Sequence, residues 1–202
     1  MLLQTVEQQL IEQGILADPQ SPRGRLLAHA AKLFRNKGYQ STTVRDIAAA
    51  VGILSGSIFH HYKNKDAILK AVMLEGIYHS MGQMHAALEQ AQGPKGKLRA
   101  LIACELDSMN GSRGDAMTVV VNEWRFLSDG GQADILSLRE EYEQLWISVL
   151  EQAFEQELLQ CPPSVMRKLL YGAITWTDKW FRPDGELSEA QLIDEILKLA
   201  IR

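Results

Sequence analysis

The chain has 202 residues, 46% of them hydrophobic and 23% charged, with a formal net charge of −4. That composition is globular and suits one large domain, or a small domain joined to a medium one. No window approaches the roughly 18 uninterrupted apolar residues of a membrane span. The start, MLLQTVEQQLIEQGIL, lacks the basic opening and long apolar run of an export signal, so the expected compartment is the cytoplasm, with no membrane partner. Cys104 and Cys161 lie too far apart for a CxxC redox or zinc arrangement and read as buried free thiols.

The charge is unevenly placed. Residues 22–70 hold nine Lys or Arg against Asp46 and Asp66, a balance of +7, which leaves −11 for the rest of the chain. A basic module on an acidic body should seek an anion.

Residues 1–21 carry no Lys or Arg; Val6, Leu10 and Ile11 suggest a short helix, and DPQSP (residues 18–22) then breaks the chain. This stretch is expected to be an appendage. From Arg23, the spacing Leu26/Leu27, Ala30/Ala31, Phe34 is that of a half-buried helix, stopped by Gly38. Val44, Ile47, Ala48 and Val51 mark a second, short helix, opened by the capping pair Thr43 and Asp46 and closed by Gly52. A third helix is expected from Leu54 or Ser55 to about His61. Beyond it the pattern predicts helices over 66–89, 95–109, 115–127, 133–159, 165–181 and 189–201, with no strand-like alternation. The chain reads as all-α: a three-helix N-terminal domain over 22–70 and a larger helical domain over 71–202.

Two short helices joined by a tight glycine turn make a helix-turn-helix, whose second helix enters the DNA major groove. Ser55, Gly56 and Ser57 are small enough to let that helix approach base edges closely. Ile58 and Tyr62, four apart, point back toward Phe34 and Ile47. Phe59, His60 and His61 then stay on the outer surface, and Lys63 and Lys65 sit where the next helix begins, a phosphate-binding corner. No metal site is implied, because His60 and His61 are adjacent and His79 and His85 are six apart. Catalysis is not expected either: GILSG lacks the GxSxG spacing, GPKGK is too short for a P-loop, and no acidic cluster or cofactor motif stands out. A helical protein–protein adaptor, the reading without DNA, leaves the basic module without a role.

The stretch TTVRDIAAAVGILSGSIFHHYKNKDAIL (residues 42–69), preceded by LLAHAAKLFRNKGY, resembles the DNA-binding domain of the TetR family of bacterial transcriptional regulators. Position by position, the resemblance places DNA-facing residues at Thr43, Ser55, Gly56, Ser57, Phe59, His60, His61 and Lys65. It departs at Leu54, where the family often has Ser. It implies a homodimeric repressor, released from a palindromic double-stranded operator by a small molecule.

In the acidic part, Met117, Val121, Trp124 and Trp176 combine apolar surface with the nearby cations Arg125 and Lys179, and these six are the candidate ligand-binding residues. NEWRFL (residues 122–127) and GAITWTDKWFRPDGELS (residues 172–188) resemble a subgroup of that family tied to fatty-acid and sterol catabolism, which implies an acyl-CoA effector. A regulator of efflux or stress genes that senses hydrophobic drugs is the alternative. Gly172 and Ala173 permit close helix approach, and with Leu169 and Trp180 they form the candidate dimer interface that the resemblance implies.

Overall fold

The computed structural model describes residues 2–111 and 113–202, with side chains from residue 6 onward. It is all-helical; among the described residues the one departure is an isolated antiparallel bridge between Leu159 and Ile201. No helix among them is long and apolar enough to cross a membrane.

The N-terminal module consists of α2 (Pro22–Lys37), α3 (Val44–Val51) and α4 (Ser55–Ile58). Ser21 caps α2 by accepting from the Gly24 N–H, with Pro22 in the first turn, where a missing N–H costs nothing. The capping box of α3 is fully formed: the Thr43 hydroxyl accepts from the Asp46 N–H at 3.1 Å, and the Asp46 carboxylate accepts from the Thr43 N–H at 2.8 Å. Gly52 ends α3 in the left-handed conformation (φ 76°, ψ 33°), where a side chain would be strained. The third helix is shorter than the expected run to His61. Phe59 and His60 donate to carbonyls only three residues back, Gly56 and Ser57, so the last turn tightens instead of continuing. Ile58 and Phe34 are fully buried, with Ile47 beside them and Tyr62 packed at the edge.

The larger domain is built on α5 (Lys65–Gln90), capped by Asn64, with α6 (Gly93–Asn110), α7 (Gly114–Glu123), α8 (Asp129–Glu155), α9 (Pro163–Thr175), α10 (Thr177–Trp180) and α11 (Glu189–Ala200). Two expected helices are interrupted. The 115–127 helix gives way to a 3₁₀ turn at Trp124–Phe126. The 165–181 helix breaks at Trp176: the Thr175 hydroxyl donates to the Tyr171 carbonyl at 2.7 Å and the buried Thr177 hydroxyl to that of Ile174 at 2.6 Å, side-chain competition that bends a helix. The 133–159 helix starts earlier and stops at Glu155, because the chain turns through a positive φ of 57° at Glu157.

The N-terminal segment is packed into the body, not appended to it. Helix α1 (Leu2–Glu12) lies on α5 at Gly82, where a Cβ would stand 2.8 Å from Leu10 Cδ1. Leu16 is buried, the Ala17 N–H donates to Glu75 Oε1 at 2.8 Å, and Glu7 pairs with Arg113 on the loop before α7. The two domains share one continuous core. Their junction is further tied by Arg35–Asp115 at 2.8 Å and by an aromatic run from Phe34 through Tyr39 to Phe126.

Candidate nucleic-acid interface and effector cavity

Helix α4 presents its outer face to solvent: Gly56, Phe59, His60 and His61 are exposed, and Ser55 and Ser57 are half-buried. Leu54, in the N-cap position, is 80% exposed and Phe59 55%, an unusual pair of bare apolar side chains on a basic surface. Thr43 is exposed at the start of α3, with its hydroxyl spent on the capping box. Its N–H and then its hydroxyl hold the Asp46 carboxyl below the usual range.

Lys65 sits differently from its sequence-based picture as a free phosphate contact. Its ammonium donates to the Tyr39 and Thr42 carbonyls, both at 2.7 Å, and lies 4.2 Å from the centre of the Tyr39 ring. Burial lowers its pKa. It therefore locks the α2–α3 loop onto the start of α5, a positioning role for the module. Among the described residues, Arg45 on α3 and Lys63 in the turn before α5 have no ion pair, which leaves both charges available to an anion. Sequence reasoning named Lys63 as a phosphate corner and counted Arg45 in the basic balance without giving it a position.

A small cavity of about 30 Å³ lies among α5 to α9. Of the six candidate ligand-binding residues, the structure brings Met117 and Val121 to it. The other four, expected there from the sequence, do not converge on it. Trp124 is half-buried beneath Arg139, and Arg125 points outward from the 3₁₀ turn. Trp176 is 65% exposed, and Lys179 is exposed and paired with its neighbour Asp178. The break at Trp176 turns that tryptophan out of the domain.

The cations at the cavity are Arg139 on α8 and Arg167 on α9, which sequence reasoning missed. Arg167 binds two carboxylates at once: Glu105 on α6 at 3.0 and 3.3 Å, and Glu143 on α8 at 2.9 Å through two nitrogens. Its guanidinium lies 4.5 Å from the centre of the Trp146 ring and 5.4 Å from that of Tyr171. Arg167 and Glu105 are almost wholly buried, while the Glu143 side chain is 42% exposed. Burial opposes the charge on Arg167, and the two carboxylates overcome it, so its pKa is raised. Burial raises Glu105 despite the pull of Arg167, and burial, then the Glu105 charge, pushes up the Tyr142 phenol, which is 3.4 Å from Ser80 Oγ. The three charged partners are separated by 24 and 62 residues, so no local pattern announces them.

The candidate dimer residues fall on one bare face. Leu169, Gly172 and Trp180 are exposed and Ala173 half-buried, and Val165 and Trp176 extend the same stripe. A Cβ at Gly172 would meet nothing within 4 Å in the protomer. Contiguous exposed apolar surface of this kind marks an interaction site.

Comparison with known proteins fits this geometry. The family model for bacterial regulatory proteins of the tetR family matches residues 26–72, and that for the tetracyclin repressor-like C-terminal domain matches residues 91–202. The chain is 30% identical over 190 residues to the HTH-type transcriptional repressor KstR2 of Mycolicibacterium smegmatis, covering 92% of this chain and 91% of that protein. Among solved structures, one described as superantigen pfit is 46% identical with a TM-score of 0.85, covering 99% of both chains. A crystal structure of AibR in complex with isovaleryl coenzyme A and operator DNA is 26% identical with a TM-score of 0.81, covering 89% of this chain and 97% of that one.

Proposed function

This chain belongs to the TetR family of bacterial regulatory proteins, and from that premise we propose that it is a cytoplasmic homodimeric repressor released from a palindromic operator by an acyl-CoA thioester. The observation that carries the reading is the joining, through one continuous core, of a helix-turn-helix with bare apolar and basic residues to a cation-lined cavity in the body. Leu54 and Phe59 supply apolar contact for thymine methyls, Ser55 and Ser57 reach base edges, and Arg45 and Lys63 grip phosphates. One short helix reads only a few base pairs, so selectivity needs the paired helices of a dimer, formed through the Leu169–Trp180 face.

The effector cavity, at about 30 Å³, has room for little more than one water molecule. An acyl chain therefore enters only by moving α8 and α9 apart, and the half-exposed Glu143 arm of the Arg167 triad is the part that yields. Arg139, cationic and without an ion pair among the described residues, is placed to meet a CoA phosphate. Release of DNA follows when the thioester binds the opened form more tightly than the closed one; equal affinity would shift nothing. The KstR2 relative, a transcriptional repressor, supports the reading of partner, and the AibR complex with isovaleryl coenzyme A and operator DNA supports that of ligand and partner.

The test is operator affinity titrated with CoA thioesters, the matching free acids and free CoA, in wild type, Arg139→Ala and Arg125→Ala. Release by thioester alone, blunted in Arg139→Ala and retained in Arg125→Ala, is the expected result. If no thioester changes DNA affinity or thermal stability, the ligand assignment fails and the drug-sensing alternative takes its place. The 46% identity to a protein described as a superantigen supplies a second reading, engagement of a protein surface. That reading gives the basic module no task, and absence of salt-dependent DNA binding would favour it.

A further inference from the structure

A second cavity, about 150 Å³, lies where α2 meets α5 and α7 and the chain linking α1 to α2 crosses over them, and it shares only Met117 with the smaller one. Its volume is that of the apolar cavity known to take up benzene, about 150 Å³. Leu27, Val72 and Met117 give it an apolar wall, and one end is charged.

At that end stand Glu75, Asp107 and Asp115, against Arg113 and His79. Burial, then the nearby Arg113, lowers the His79 pKa, so the ring is neutral at pH 7. The wall charge is therefore −2, and counting the ion-pair partners Glu7, Arg23 and Arg35 it is still −1. Arg113 has its counter-charge in Glu7, and its other nitrogen lies 3.4 Å from His79 Nδ1. Glu75 has Arg23 and Arg113 as counter-charges. Its Oε1 takes the Ala17 N–H and lies 3.6 Å from Arg23, while its Oε2 has no hydrogen bond among the described residues.

We propose that this junction cavity binds a small organic ammonium ion, its charged head at Glu75 and its apolar body, about the size of a benzene ring, between Leu27, Val72 and Met117. A carboxylate of the same shape would meet a wall of net negative charge and is disfavoured by it. Burial pushes the Glu75 carboxyl above its usual range against the pull of Arg23 and Arg113, and a bound ammonium adds counter-charge there. The site touches the first helix of the DNA-binding module and the body together, independent of the triad around Arg167.

Benzylamine, benzyl alcohol and phenylacetate differ in charge and little in shape, and they are the probes. Thermal unfolding of the full chain should shift upward with benzylamine concentration, much less with benzyl alcohol, and not with phenylacetate. Glu75→Gln keeps an acceptor for the Ala17 N–H and removes the charge, so it should abolish the benzylamine shift. Ala28→Phe, at an exposed position on the rim, should block entry without disturbing the core, and it stands as the readout if Glu75→Gln does not fold. Arg139→Ala should leave the shift intact, which keeps this result separate from the acyl-CoA titration. No shift with benzylamine, an equal shift with phenylacetate, or a shift that persists in Ala28→Phe overturns the proposal.

Discussion

The helix-turn-helix module and the helical body solve the same problem, placing polar chemistry on an apolar frame, by opposite routes. In the module the exposed groups follow one another along a few residues, Leu54 to His61, and a fully buried Ile58 anchors them from behind. Local devices set the geometry: the capping box at Thr43 and Asp46, and the left-handed Gly52. In the body the charged cluster draws Glu105 from α6, Glu143 from α8 and Arg167 from α9, and none orients itself without the others. The surface that meets solvent is built from contiguous chain, whereas the cavity proposed to open is held by long-range pairs. Lys65 is the module's exception, a long-range tie: its ammonium reaches 23 and 26 residues back to the backbone of the α2–α3 loop.

The comparison breaks most sharply at Arg167. Arg167→Met leaves Glu105 buried without its partner, and denaturant unfolding should show a loss of about 3–5 kcal/mol, the cost of stranding one member of a buried pair. Adding Glu105→Gln to the same chain should recover much of that loss, because the stranded charge is then gone. If Arg167→Met is as stable as wild type, the triad is not what holds α6, α8 and α9 together.

Next comes the dimer face. Gly172 has open space beside it in the protomer, so Gly172→Phe should leave the fold's stability nearly unchanged. Sedimentation should nonetheless show monomer, and operator affinity should fall by about a hundredfold as the second recognition helix is lost. A wild-type protein that sediments as a monomer and binds operator at full strength would remove this face from the function.

The smallest effect expected is at the module's cations. Lys63→Ala should weaken operator and random DNA alike and flatten the slope of log K against log salt by about one unit. Lys65→Ala should instead lower the stability of the module, and any change in salt slope should be smaller than that of Lys63→Ala. Equal slopes for both variants would return Lys65 to the phosphate contacts.

Much of the module was legible because its determinants are near neighbours in sequence. Leu27, Ala31 and Phe34 on α2, and Val44, Ile47 and Val51 on α3, repeat at helical spacing, and Thr43 and Gly52 are residue types with a stated job at helix ends. The misreadings in the body have a common cause. Trp124, Arg125, Trp176 and Lys179 were grouped because aromatic and cationic residues stood side by side in the chain. A 3₁₀ turn at Trp124, and a break at Trp176 where the Thr175 and Thr177 hydroxyls bond back to Tyr171 and Ile174, aim Arg125, Trp176 and Lys179 outward. The N-terminal segment looked detachable because it carries no Lys or Arg and DPQSP (residues 18–22) breaks the chain after it; its seat at Gly82 and its bond to Glu75 lie on another helix.

What the sequence by itself determined is the all-α class, the helix-turn-helix, the basic face and the apolar stripe ending at Trp180, since helical period, capping and charge balance act over a few residues. The tertiary structure alone decided which cations reach the cavity among α5 to α9, that Lys65 bonds to backbone, and that a second cavity exists beneath α2. Each of these depends on helices distant in the chain being brought within about 3–4 Å, the reach of hydrogen bonds and close packing, and no sequence spacing encodes that approach.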